Sequence, residues 1–179
     1  MKLNLKQVSK IKKHNRKTKY LYIVLGMILV VLNSCITNNQ LSSDDLKKIK
    51  QLEDDYVKGW FADNQQKSVL KVFEENVAFI PHHGDKPVVG IKALREFFWP
   101  GGKGGIVNSF NHYPDKIEGN NQIAWLRGRF DINYSWIVDK DTTTTLNEGN
   151  YVLIARKQED DQWKIATFIF NDPVAQVEK

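Results

Sequence analysis

Tyr56 and Trp60 stand four residues apart, so on a helix they lie one turn apart on one face. A phenol and an indole N–H so placed can hold a ligand oxygen, or pack as core aromatics. His82 and His83 follow a short run of strand-forming residues. Neighbours on an extended chain point to opposite sides, so at most one of them faces inward as a general base. Asp131, inside a long alternating segment, is the carboxylate candidate for that role. Tyr56, His82 and Asp131 are therefore the catalytic candidates. No metal or cofactor is expected. His82, His83, His112 and Asp85 contain no ligand pair of recognised spacing, and zinc wants three or four convergent ligands. The glycine-rich residues 100–105 do not make a phosphate-binding loop, because Gly104 follows Lys103 where Ser or Thr should stand.

Cys35 is the only cysteine, so the chain has no internal disulfide. It follows a basic segment ending at Lys19 and an apolar run over residues 21–32. That run is too short to span a bilayer comfortably, which takes about 20 helical residues. Leu32, Ser34 and Cys35 resemble the bacterial lipoprotein signal, with Asn33 an unusual occupant of its variable position. The resemblance implies that the Cys35 sulfur is lipidated and becomes the first residue after cleavage. Two or three acyl chains would then make a stable anchor. The competing reading is an uncleaved signal anchor with an incidental cysteine. On the lipoprotein reading residues 1–34 are a signal peptide and 35–42 the lipidated cysteine and tether. The protein would sit in the bacterial cell envelope, facing away from the cytoplasm, with membrane lipid as its partner through Cys35.

The formal charge of +5 belongs to this leader. Eight of the 26 Lys and Arg residues lie within residues 1–34 with no acid among them, so beyond it acids outnumber bases 21 to 18. A nucleic-acid partner is not expected without a positive field.

The elements that must position the candidates follow from periodicity. Ser42 and Asp45 form a capping pattern, and Leu46, Ile49, Leu52, Tyr56 and Trp60 recur at helical spacing to about Ala62. Asp63 is expected to cap a second, shorter helix carrying Val69, Leu70 and Phe73. A strand over 77–81, a turn, a short strand over 88–90 and a helix over 91–98 follow. From residue 106 the period becomes two. Strands are expected over 107–118, with Pro114 marking a bulge or an edge, then over 123–138, 142–157 with an interruption near Gly149, and 163–170. The layout is α+β, with helices on one face of an antiparallel sheet. In the long strand Ala124, Leu126, Phe130, Ile132, Tyr134 and Trp136 share the apolar face. Trp125, Arg127, Arg129 and Asp131 share the other; turned inward by a bulge, its arginines would hold an anionic ligand.

Several phrases resemble the SnoaL-like group of the nuclear transport factor 2-like superfamily, which includes ketosteroid isomerase. They are Val-Phe-Glu-Glu-Asn-Val-Ala-Phe-Ile-Pro ending at Pro81, and Val-Val-Gly-Ile-Lys-Ala-Leu-Arg-Glu-Phe-Phe ending at Phe98. With them go Ile123-Ala124-Trp125, Gly149-Asn150-Tyr151 and the ending from Trp163 to Pro173. The resemblance implies a cystatin-like cone over residues 43–174, a curved antiparallel sheet wrapped around N-terminal helices, with a tail over 175–179. It places Tyr56 and, within a residue, Tyr151 at oxyanion-donor positions. It puts Ile80 where the isomerase carries its catalytic carboxylate, and isoleucine cannot carry a proton. Asn171 matches a position near the pocket mouth. Tyr56, Trp60, His82, Trp99, Tyr134, Tyr151 and Asn171 are thus the expected ligand-binding residues. The expected function is a lipid-anchored cone that binds a small, mostly apolar molecule. The alternatives are a cofactor-free isomerase, cyclase or hydratase, and a non-catalytic module that forms a homodimer.

Overall fold

Helix α1 (Ser43–Gly59) begins where the sequence places a cap: Ser42 Oγ accepts from the Asp45 backbone N–H at 3.0 Å. The computed structural model describes residues 40–82, 84–138, 141–172 and 176–178. Cys35, the segment before it and His83 therefore lie outside the described residues. Helix α1 buries Ile49, Leu52 and Tyr56, and on the same side Asp45 and Glu53. It stops at Gly59, short of Ala62, where a side chain would crowd the Ser68 backbone. Helix α2 (Gln65–Leu70) is capped by Asn64 and not by Asp63: the Asn64 side-chain oxygen accepts from the Lys67 N–H at 3.0 Å.

Strand β1 (Phe73–Ile80) starts ahead of the expected residue 77, because Phe73 already pairs beside Ile165. Strand β2 (Val88–Val89) leads into helix α3 (Ile91–Phe98) through Gly90, whose φ of 87° is costly for any residue with a Cβ. A short 3-10 turn (Pro100–Gly102) then delivers the chain to the sheet.

Strands β3 (Ile106–Gly119), β4 (Ile123–Val138), β5 (Asp141–Lys157) and β6 (Trp163–Asn171) form an antiparallel meander. The sheet order is β2-β1-β6-β5-β4-β3, with β1 parallel to β6. Strand β7 (Gln176–Glu178) pairs with β5 at Thr144–Leu146, within the stretch expected to be a tail. Pro114 marks both a bulge and an edge: β3 closes one side of the sheet, and its register shifts between Pro114 and Lys116. Gly149 does not interrupt β5, whose register with β4 runs through it unbroken. The glycine is needed there because a Cβ would collide with the Asn171 carbonyl oxygen.

The helices pack on the inner face of this curved mixed sheet, which makes an α+β cone. Ile49, Val69, Leu126, Leu153 and Ile165 are fully buried between the two layers. Each such side chain contributes about 2 kcal/mol by leaving water. The even-numbered residues of β4 face inward, as the apolar pattern predicts, and Arg127, Arg129 and Asp131 face out.

Candidate functional site

The wider part of the cone is not filled. A cavity of about 240 Å³ lies between α1, α3 and the sheet. Tyr56 and Trp60 reach it from α1, Phe97 and Phe98 from α3, and Phe79 from β1, with His82 just beyond that strand. The sheet supplies Phe110 and His112 from β3, Phe130, Ile132, Tyr134 and Trp136 from β4, Asn147 from β5, and Phe168 and Phe170 from β6. Strand alternation explains the set, since each strand sends every second side chain inward. Exposure grades the cavity from floor to rim: the side chain of His112 is 4% exposed, that of His82 30%, and Phe97 is 42% exposed.

The floor is a packed aromatic group. Tyr56 meets Phe73, Phe110 and Phe168 at ring-centroid distances of 5.5, 5.7 and 5.3 Å. Burial pushes the Tyr56 phenol well above its ordinary pKa, against a smaller downward pull from Trp60. It stays a neutral donor at physiological pH. Trp60 stacks on Trp99 at 5.3 Å.

Behind the floor lies a buried polar cluster. Glu53, from α1, is 4% exposed. Its Oε1 accepts a hydrogen bond from the Tyr151 hydroxyl and lies 3.3 Å from His112 Nδ1. The His112 ring also stacks on Tyr151, with centroids 4.2 Å apart. Burial, then the hydrogen bond and charge of Glu53, push the Tyr151 phenol far up and keep it protonated. A carboxylate on Nδ1 favours the tautomer that leaves Nε2 as the basic nitrogen. A second pairing lies toward the rim, where His82 Nδ1 is 3.3 Å from Asp172 Oδ1.

One polar atom on the cavity wall lacks a partner among the described residues. Asn147 Oδ1 is buried and accepts no hydrogen bond from them, whereas the Trp60 indole N–H pulls on the Tyr56 hydroxyl. Buried polar atoms of this kind are rare and call for a ligand or water.

Of the expected ligand-binding residues, Tyr56, Trp60, His82 and Tyr134 line the cavity. Trp99 is buried behind Trp60, and Tyr151 lies behind His112, so neither belongs to the wall. Asn171 is exposed at the end of β6, where its side-chain oxygen accepts from Asn150. Asp131 is on the outer face: Phe130 and Ile132 point into the cavity, so the residue between them points away, and Asn111 Nδ2 donates to it at 2.8 Å. Arg127 pairs outside with Asp115 at 3.0 Å, and Arg129 lies over Tyr113, so neither can hold an anion within the cone. Phe79, and not Ile80, lines the cavity from β1. Among the described residues, no group of three His, Cys, Asp or Glu is placed to hold a metal ion.

The sequence reading missed Glu53 and Asn147 and gave His112 only to the rejected metal set. The signal for Glu53 was a carboxylate four residues after Ile49 and three before Tyr56, on the apolar stripe. Asn147 is a polar residue among the inward positions of β5.

No protein-family model and no curated protein matches the chain. Solved structures do. A protein provisionally termed an aromatic ring hydroxylase, from Novosphingobium aromaticivorans DSM, superposes with a TM-score of 0.61 at 21% identity, covering 78% of this chain and 96% of that one. A ketosteroid isomerase-like protein from Erwinia carotovora atroseptica SCRI1043 gives a TM-score of 0.57 at 14% identity, over 73% of this chain and 98% of that one. A protein of unknown function with a cystatin-like fold, from Nostoc punctiforme PCC 73102, gives 0.55 at 15%, over 75% and 96%. The chain therefore has the cystatin-like fold of these proteins, the cone that the sequence phrases imply. Identities this low carry the fold and no activity.

Proposed function

We propose that this chain is a lipid-anchored protein of the bacterial cell envelope whose cone binds a small, neutral, mostly apolar molecule. One observation carries the binding reading: an aromatic-walled cavity of about 240 Å³ with a few inward polar groups and, among the described residues, no Lys or Arg in its lining. Ligand sites have this composition, apolar walls with a small number of orienting polar groups. An apolar cavity of roughly 150 Å³ already takes up benzene, so this one has room for one or two rings. The anchor rests on Leu32, Ser34 and Cys35 after a basic, apolar leader. The test begins with the full chain purified in detergent, extracted with organic solvent, and the extract read by mass spectrometry against a micelle blank. A defined molecule at about one per chain is the expected result. An empty extract, together with failure to take up apolar aromatic probes, would overturn the binding reading. Fatty-acid labelling tests the anchor: Cys35→Ala should lose both the label and the membrane association.

The Glu53–His112 pair favours a second reading, a cofactor-free proton-transfer enzyme. His112 would act as the base on the cavity wall and Tyr56 as the oxygen donor, in place of His82 or Asp131 alone. The chain should then speed exchange of the α-protons of 2-tetralone in D2O, and His112→Gln should abolish this where His82→Ala does not. Exchange no faster than the buffer background would end this reading and leave the binding one standing.

A further inference from the structure

We infer that Asn147 selects the ligand, and that the ligand is a neutral one- or two-ring molecule carrying a hydroxyl. The inference rests on the binding reading and adds the polar half of the ligand's chemistry. Asn147 is 7% exposed, its side chain lies on the cavity wall, and its Oδ1 accepts no hydrogen bond from the described residues. A side-chain amide can be drawn with its two ends exchanged, but either end placed there still needs a partner. An unsatisfied buried amide destabilises the empty protein, so an apolar residue would serve the fold better.

The missing partner has a definite chemistry. Oδ1 is an acceptor, so the ligand must bring a donor. A hydroxyl is the smallest neutral group that brings one. A carboxylate is unsuited: it brings no donor, and the described lining contains no Lys or Arg to hold its charge. An ammonium is unsuited as well, because the described lining has no Asp or Glu. An ether, a ketone or a pure hydrocarbon would leave Oδ1 unpaired. The remainder of the wall is aromatic, which matches a flat ring system.

Three probes of one ring system separate the possibilities: 2-naphthol, 2-methoxynaphthalene and 2-naphthoate. Each is titrated calorimetrically into the full chain in detergent, with micelles alone as the blank. The expected order is 2-naphthol tighter than 2-methoxynaphthalene by roughly tenfold or more, with 2-naphthoate weakest, since a site built to bond a hydroxyl rejects analogues without one. In Asn147→Leu the naphthol preference should vanish while 2-methoxynaphthalene binds as well or better. The same variant should melt at a higher temperature than the parent, which also checks that it folds. If 2-naphthol and its methyl ether bind the parent equally, or if the preference survives in Asn147→Leu, the assignment of Asn147 is wrong and the binding reading stands. If none of the three binds, both fall.

Discussion

Asp45 and Glu53 stand eight residues apart on α1, about 12 Å along one face of the helix, and both carboxylates are buried. They have opposite surroundings. Asp45 lies at the closed end of the cone, where Trp163 Nε1 donates at 2.9 Å, Lys157 Nζ at 3.0 Å and Ser42 Oγ at 2.7 Å. Glu53 lies behind the cavity floor and offers a single oxygen to both Tyr151 and His112. The first carboxylate has several donors, among them a cation, on partners that do not line the cavity. The second shares its donors with a histidine that faces open space. A buried charge with a full set of partners locks helix α1 to strands β5 and β6. A buried charge whose partner lines a cavity can orient that partner toward a ligand.

The largest expected effect comes from removing the structural member of the pair. Asp45→Ala leaves the Trp163 indole and the Ser42 hydroxyl without their acceptor and the Lys157 ammonium with Asp161 alone, and should cost about 3 kcal/mol in urea denaturation. Binding of 2-naphthol to the folded fraction should not change. A loss below about 1 kcal/mol would show the cluster to be incidental and erase the contrast.

Acid sharpens the comparison next. Burial raises the Asp45 carboxyl, but hydrogen bonds from Ser42, Trp163 and Lys157 and the Lys157 charge outweigh it and hold the group far below its ordinary 3.8. A depressed carboxylate contributes stability that is present above the ordinary value and is lost as pH falls through the folded one. Urea midpoints of the parent should therefore drop below about pH 4, and Asp45→Asn should flatten that limb. Tyr151 works at the other extreme. Its raised phenol favours the folded state below the ordinary value of 10.0, a contribution lost as pH climbs beyond it. Glu53→Gln should bring the Tyr151 titration down toward the ordinary range, read by tyrosinate absorbance. Its cost in stability should be nearer 1–2 kcal/mol, because one neutral acceptor can still serve the hydroxyl.

How much of this could be read beforehand follows from the same two residues. The fold was legible because a period of about 3.6 in residues 43–59 and a period of two after residue 106 are enforced by burial along whole elements. Those periods matched β4 and α3 to the residue but left the inward face of β4 open between its apolar and its polar side. They could not rank single positions. Asp45 was legible only as part of the capping pattern with Ser42, and its burial depends on Lys157 and Trp163 far along the chain. Glu53 was hidden among other charged residues on α1, and its partners come from β3 and β5. Asp131 stayed a candidate because a carboxylate in an alternating strand is equally visible whichever face it occupies, and the fold puts it outside. Long-range partners decide a polar site, and a single sequence carries no record of them.

The smallest expected effect tests where the strength of the closed end resides. Lys48 reaches Asp161 at 2.8 Å, and Asp161 in turn meets Lys157 at 2.8 Å, so a chain of charges runs from the surface to Asp45. Lys48 and Asp161 are 44% and 65% exposed, where water and salt screen most of the attraction. Lys48→Ala should therefore leave the urea midpoint at neutral pH within experimental error, at both low and high salt. If it lowers the midpoint as far as Asp45→Ala does, and high salt erases the parent's advantage, the outer charges are what hold Lys157 in place. The closed end would then be a surface network with a buried end, and no longer the sealed counterpart of the Glu53 cluster. An unchanged midpoint would locate its strength in the bonds from Ser42, Trp163 and Lys157 to one buried carboxylate.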